Sequence, residues 1–430
     1  MRVLHVGNIA NNAYSNVKFL RRKGVSAEVL CYDDTFSLDQ PEWEDAEPDV
    51  RGDEFSPTRE IGEQGSFRRP AWFIQGELLS SPTGRKQWFR GQVRLGRLAQ
   101  DPFVLVEALQ RYWQGGFAGN GPRPKLTDFI WASPLRRRFE EWFAGYDLIQ
   151  AYGLEPIYAW LFGRGRPYVA FEHGTMREIP FEDSRRGRLL AVAYQRANRV
   201  LITNPDVLSA AQRLGLKGFQ FIPHPVDETK YRPEGTTLRQ ELENRYQTDC
   251  ILFAPSRQNW ALKGNDQVIR AFARLLKATK RRPILILGDW GQEMNDSREL
   301  IKDLGITESV VWMPPLPKMR LIDYYNAADM VLDQFTLGVF GSITPEAMAC
   351  AKPVMLHFDR ALHEWCYAEM PPVVSARTEG QIYEAMLRLI DDDGLRSSIG
   401  QSAREWVVKH HGWELVADRQ ISLYRELLQQ

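Results

Sequence analysis

Phe340-Gly341-Ser342-Ile343-Thr344-Pro345-Glu346-Ala347-Met348-Ala349-Cys350-Ala351-Lys352-Pro353-Val354 combines a glycine-bearing turn, a helix start and a strand. Thr344 is placed to cap the helix through its hydroxyl. Pro345 suits the first helical position, where its missing N–H would be unpaired in any case. The N–H groups of Gly341, Ser342 and Ile343, just after Phe340, then gather at the positive end of a helix and offer a site for a phosphate. Glu346 would repel a phosphate and suits instead the hydroxyls of a sugar or a ribose. An ordinary helix-to-strand unit with an acidic first turn accounts for the same residues.

Arg257 and Lys263 follow an apolar run in Pro255-Ser256-Arg257-Gln258-Asn259-Trp260-Ala261-Leu262-Lys263-Gly264. Two cations in a strand-end loop neutralise a diphosphate well, Arg as a planar fork and Lys as a point charge; two solvated surface cations are the other reading. His173 and Gly174 stand at the end of another apolar run. There His173 can hydrogen-bond a reacting sugar, or simply complete a core, and Gly174 allows close approach of a ligand or of backbone. Gly7, Asn8 and Asn12 lie in Gly7-Asn8-Ile9-Ala10-Asn11-Asn12, which lacks the glycine spacing of a dinucleotide fingerprint. Its amides can line a cleft, or Asn11 can cap a helix. Metal and nucleophile chemistry find little support: His410-His411 and Asp33-Asp34 lack ligand spacing, and no serine sits in a nucleophile elbow.

Strands and helices that alternate must position these groups. Val3–Val6, Ala27–Tyr32, Asp147–Ala151, Tyr168–Glu172, Arg199–Thr203 and Gly218–Ile222 read as short apolar strands with helical segments between. A second series runs Ile251–Ala254, Pro283–Gly288, Val310–Met313, Met330–Asp333 and Pro353–Leu356. Such alternation implies parallel pairing through right-handed crossovers, hence an α/β chain of two doubly wound sheets whose ligands sit at the strand carboxyl ends. The expected domains are 1–225, 226–410 and a terminal helix over 411–430 that can fold back on the first half. The stretch 35–145, rich in tryptophan and in clusters such as Arg68-Arg69, Arg85-Lys86 and Arg136-Arg137-Arg138, reads as an insertion in the first domain. It either packs internally or lies on a membrane carrying a lipid-linked sugar.

At 430 residues, length alone implies two or three domains, and 55 basic against 55 acidic residues give no argument for nucleic-acid binding. Cys31, Cys250, Cys350 and Cys366 are scattered and read as reduced thiols, neither disulfide framework nor zinc site. The opening Met1-Arg2-Val3-Leu4-His5-Val6 reads as a strand, not as a secretion signal, and no apolar run reaches about eighteen residues. A cytoplasmic protein, with a possible peripheral contact at the inner membrane face, is the expectation.

Together, the Arg257…Lys263-Gly264 loop, Phe340-Gly341…Glu346, His173-Gly174 and His224-Pro225-Val226-Asp227 resemble the retaining glycosyltransferases of family 4. The resemblance covers about 1–34 and 146–430. It implies a GT-B fold, two Rossmann-like domains facing a central cleft, with a nucleotide-sugar donor, a glycan or lipid-linked acceptor, and no metal or other cofactor. In this family pattern Arg257 and Lys263 hold the diphosphate with the amides of Gly341–Ile343, Glu346 binds the ribose and His173 lies by the donor sugar. The pattern also has an earlier glutamate, directed at the donor sugar, where this chain has Gly338; Asp333 is the carboxylate nearest in sequence to replace it. That departure leaves the sugar open. It also keeps two other functions in view, a GT-B nucleotide-sugar epimerase and a catalytically silent nucleotide-sugar-binding protein.

Overall fold

The computed structural model describes residues 1–32, 37–47, 67–76, 106, 109, 110, 112, 113, 121–132 and 135–429. They fall into two compact units, one within Met1–Thr35, Arg69–Ile222 and Ala417–Gln430, the other within Phe36–Arg68 and Pro223–Val416.

The first unit carries a seven-stranded parallel sheet: β1 (Arg2–Val6), β2 (Ser26–Tyr32), β3 (Phe73–Gly76), β4 (Leu148–Tyr152), β5 (Tyr168–Glu172), β6 (Arg199–Ile202) and β7 (Phe219–Phe221). Their order is β3-β2-β1-β4-β5-β6-β7. Val3 pairs with Ala27 on one side and Leu148 on the other. β4 and β5 are buried along their whole length, as strands covered on both faces must be. The crossover helix Asn12–Arg22 ends at Lys23, after which Gly24 takes the left-handed conformation at φ 80°. Its N–H and that of Val25 then reach back to the carbonyls of Arg21 and Leu20.

The second unit repeats the plan with β8 (Cys250–Ala254), β9 (Pro283–Gly288), β10 (Val310–Met313), β11 (Met330–Leu332), β12 (Val354–Leu356) and β13 (Val374–Ser375), in the order β10-β9-β8-β11-β12-β13. Val268, Ile269, Phe272 and Leu275 form the buried stripe of the Asn265–Ala278 helix. They share a core with Ile382, Met386 and Leu389 of the Glu379–Ile390 helix, whose start is fixed by a Thr378/Gln381 capping box. Strand order therefore reverses direction once in each sheet, between β1 and β4 and between β8 and β11. Those are the places where the loops leaving the strands splay apart and leave room for a ligand.

Two parallel doubly wound sheets agree with the sequence pattern, and the anticipated strand bounds differ by a residue at most at either end. Two strands were not anticipated. β13 has two residues and no apolar run to announce it. β3 lies inside the stretch read as an insertion, where Phe73 and Ile74 pair with Val29 and Leu30; four residues beside Pro70 are too short for a clear alternation. In the same stretch Arg136 and Arg137 pair with Glu140 and Glu141 one helical turn on, and Arg138 lies over Trp142. This basic run is thus partly paired within its own helix. Arg85, Lys86, Arg90, Arg94 and Arg97, like Asp33 and Asp34, lie outside the described residues. No described helix is long and apolar enough to cross a membrane.

The last helix, Trp413–Gln429, packs in the first unit from Ala417 onward. A buried polar network fixes its position. The Tyr424 hydroxyl lies 2.7 Å from Gln150 Oε1 and 3.0 Å from Gln420 Oε1. Gln420 donates to Asn16, and Asn16 and Gln150 both donate to the hydroxyl of Tyr152, which His5 Nδ1 also meets at 2.8 Å. Burial pushes the His5 imidazole down to about 3, so it is neutral in this network at ordinary pH. Tyr424→Phe leaves Gln150 Oε1 without its donor in a place water does not reach, whereas Gln420 Oε1 keeps the Gln150 amide at 3.1 Å. The expected loss is about 1–3 kcal/mol, read as a lowered urea midpoint.

Candidate active site

The reversal between β8 and β11 gathers the chemistry-bearing groups of the second unit. The chain leaving β8 runs through half-buried Arg257 into the short helix Trp260–Lys263, whose first turn is capped by the Asn259 side chain accepting from the Leu262 N–H at 2.9 Å. Gly264 then turns at φ 71°, and a Cβ there would sit 3.1 Å from that of Phe335. The chain leaving β11 comes that close because the two are tied together. Phe335 N–H donates to the Lys263 carbonyl at 2.9 Å, Lys263 Nζ to Gln334 Oε1 at 3.1 Å, and Ser256 Oγ to the Asp333 carbonyl at 3.3 Å. Thr336 Oγ1 also donates to the Leu262 carbonyl.

Downstream, the helix spans Ile343–Ala349 with Ser342 as its N-terminal flanking residue and no side-chain cap. It starts earlier than the sequence reading placed it, and this corrects the role given to Thr344. The Thr344 hydroxyl donates instead to Asp333 Oδ2 at 2.7 Å, pinning the helix to the end of β11. Pro345 is the third helical residue, still within the first turn, whose N–H groups have no partner inside the helix. Phe340 is buried and stacks on His363, with Phe358 and Tyr367 beyond. Gly341 and Ser342 stay partly open to solvent.

Glu346 is buried and engaged at both oxygens: Lys318 Nζ lies 2.5 Å from Oε1, and the Tyr325 hydroxyl donates to Oε2 at 3.0 Å. Burial pushes its carboxyl up, Lys318 pulls against this without cancelling it, and the nearby Glu44 adds to the rise, so the carboxyl stays above its ordinary value. Lys318 and Tyr325 escape a reading of the sequence because they lie on another helix, Lys318–Ala327, with no local pattern joining them to Glu346.

Gly338 also has a structural account. It takes φ 75°, its carbonyl accepts from the Asp359 N–H at 2.9 Å, and a Cβ there would lie 2.9 Å from Asp359 Cβ and 3.3 Å from the His357 ring. A side chain at 338 would be strained by its backbone angle and would crowd Asp359 and His357. Asp333 does not replace the missing carboxylate, since it is buried and its Oδ2 receives Thr344.

In the first unit Gly7 follows β1 at φ 83°, where a Cβ would meet the Glu155 side chain at 2.8 Å. The asparagine amides work within the loop. Asn8 Oδ1 accepts from the Tyr14 N–H and Asn8 Nδ2 donates to Asn11 Oδ1, both at 2.9 Å, while Asn12 Nδ2 donates to the Ile9 carbonyl at 2.8 Å. Asn11, at φ 57°, flanks the helix without a side-chain cap. His173 stacks on Tyr152 and Phe171, and Gly174 turns at φ 102° under the guanidinium of Arg177. Beneath this turn lies a residue the sequence reading missed: Glu172 Oε1 accepts the N–H groups of Gly174 and Met176 and so fixes the loop carrying His173. Burial pushes the Glu172 carboxyl up to about 6, against the pull of the Met176 N–H and Arg177. Arg177 is itself held by a two-point pair with Asp206 at 2.6 and 2.9 Å.

Residues 236–406, less than half of the chain, match the family model described as Glycosyl transferases group 1. The chain is 30% identical over 216 residues to D-inositol 3-phosphate glycosyltransferase 1 of Catenulispora acidiphila, covering 48% of this chain and 51% of that protein. It is 26% identical over 260 residues to D-inositol 3-phosphate glycosyltransferase of Acidothermus cellulolyticus, covering 54% and 56%. The chain thus spans about half the length of the curated relatives it matches. Among solved structures, sucrose-phosphate synthase from Thermosynechococcus elongatus superimposes with a TM-score of 0.66 over 99% of both chains at 15% identity. Anabaena HepE in complex with UDP gives 0.67 over 99% of this chain and 100% of that one, also at 15% identity. These likenesses establish the fold, the two Rossmann-like domains of the GT-B class.

Two outcomes follow from the geometry. A carboxyl whose folded pKa is raised stabilises fully below its unfolded value near 4.5, and that stability is lost as pH rises through about 6. Glu172→Gln should therefore remove about 2 kcal/mol of pH dependence across this window, seen as a flatter curve of urea midpoint against pH than the wild type shows. Gly338→Ala should lower the midpoint by about 1–3 kcal/mol from backbone strain and crowding; an unchanged midpoint would mean that the loop has slack there.

Proposed function

We propose that the protein is a retaining glycosyltransferase of the family 4 type. It would move a sugar from a UDP- or GDP-linked donor to a hydroxyl acceptor in a glycan or lipid-linked saccharide. The observation that carries this reading is the joining of the Arg257–Lys263 loop to the Asp333–Glu346 segment at the β8/β11 reversal. That brings a pair of cations and a buried carboxylate to the carboxyl ends of one sheet, the expected place for a nucleotide.

In this reading Arg257 and Lys263 take the diphosphate, assisted by the amides of Gly341, Ser342 and Ile343, and Glu346 takes the ribose. When the glycosidic bond to the donor phosphate breaks, the electron pair goes to the phosphate oxygen. Arg257 and Lys263, fixed beforehand, stabilise that charge as it develops. The departing phosphate can receive the acceptor's proton, so the step needs no separate carboxylate base and no metal. His173, on a loop held in place through Glu172, would act on the sugar as the family resemblance implies.

Incubation with UDP- and GDP-sugars and a saccharide acceptor tests this reading. Nucleotide release should continue in excess EDTA and fall by about a hundredfold or more in Arg257→Ala and in Lys263→Ala. His173→Ala should lower kcat more than nucleotide affinity. No donor binding, with Arg257→Ala unchanged from wild type, would contradict the assignment. The crowding of His357 and Asp359 around Gly338 supports one second reading, a nucleotide-sugar-binding protein without turnover. Tight UDP or GDP binding with no product from any donor would select it.

A further inference from the structure

Lys318 stands where local preference opposes it. It is the first residue of the Lys318–Ala327 helix, after Pro317, and the positive end of a helix disfavours a cation. Its side chain is only 16% exposed, so it also gives up much of its hydration. Such conflicts between residue and position gather at functional sites. What offsets the cost is the 2.5 Å pair with Glu346.

The groups around Glu346 come from several elements. The Lys318–Ala327 helix supplies Lys318 and Tyr325. The short helix Pro41–Asp45 brings Glu44, which disfavours a charge on Glu346, but Glu44 and its neighbour Asp45 are paired with Lys230 at 2.8 and 3.4 Å. Tyr231 and Cys350, both buried, feel the Glu346 charge, as Lys230 does, and Asp333 lies near Tyr325. His224, half-buried near Lys318, is pushed down to about 4 by burial and by Lys318 and stays neutral. Lys318 is thus the cation in direct contact with this carboxylate among the described residues. Without it, burial and Glu44 both favour a protonated Glu346, which has lost half of its capacity to accept from a pair of vicinal hydroxyls.

We propose that Lys318 is a positioning residue of the nucleotide site: it keeps Glu346 ionised and holds its Oε1 while Tyr325 holds Oε2, so that the preference for a ribose is independent of pH near neutrality. This rests on the assignment of the ribose to Glu346 made above. The test compares UDP with 2′,3′-dideoxy-UDP by calorimetry from about pH 5 to pH 8. Wild-type protein should prefer UDP by a factor that is constant near neutrality and falls only toward about pH 5, because the Glu346 carboxyl stays above its ordinary value even beside Lys318. In Lys318→Gln, which keeps a hydrogen-bond donor and loses the charge, the preference should vanish at low pH. It should return by up to about tenfold per pH unit as Glu346 ionises. Affinity for 2′,3′-dideoxy-UDP should stay at the wild-type value throughout, and Lys318→Arg should restore the wild-type profile. Should Lys318→Gln fail to fold, Lys318→Met carries the same expectation.

An undiminished preference with the wild-type profile in the uncharged variant overturns the role of Lys318 and leaves Glu346 on the ribose. Equal loss of both nucleotides at every pH overturns it too, since a merely structural residue would give that result. A wild-type protein with no preference for UDP overturns the ribose assignment, and the inference with it.

Discussion

The second unit depends on one constraint, the tie between the chain leaving β8 and the chain leaving β11. At a reversal of strand order two neighbouring loops turn away from each other, and nothing in the sheet holds their far ends. Here Lys263 and Phe335 do so. The backbone of one loop receives the N–H of the other, and the Lys263 ammonium rests on Gln334. Gly264 makes the approach sterically possible, and the Thr344–Asp333 hydrogen bond extends it to the helix bearing Glu346. Preorganised groups stabilise developing charge because they need not move when it appears, and in the proposed transfer this chain of contacts would supply that preorganisation.

Much of this was legible in the sequence. Buried parallel strands are near-continuous apolar runs, and β5, β9 and β10 carry that signal so plainly that their bounds can be read directly. Arg257, Lys263 and His173 were singled out because strand ends are where such folds place ligands, and Glu346 because it lies at a helix start. What escaped is non-local. Lys318 and Tyr325 meet Glu346 from another helix, and Glu172 acts through backbone amides that leave no residue pattern. Thr344 was misassigned as a cap because a hydroxyl near a helix start has two rival uses. Only the position of Asp333 decides between them.

Gly338 shows how one backbone angle constrains chemistry. A left-handed residue with Asp359 and His357 against its Cα strains and crowds any side chain, so the carboxylate that the family pattern places there would require the loop to shift. Phe340 on the same loop is held by stacking on His363, and the end of the loop is held by Thr344. The loop is therefore anchored at Phe340 and Thr344, and at Gly338 it packs against His357 and Asp359.

The central claim is that the β8/β11 reversal is a nucleotide site. A crystal structure with UDP or GDP bound tests it most directly. The account predicts the diphosphate within hydrogen-bond reach of Arg257 and Lys263, with the ribose hydroxyls on Glu346. A nucleotide bound elsewhere on the chain, or seated at the reversal with its phosphates turned away from Lys263, would contradict it.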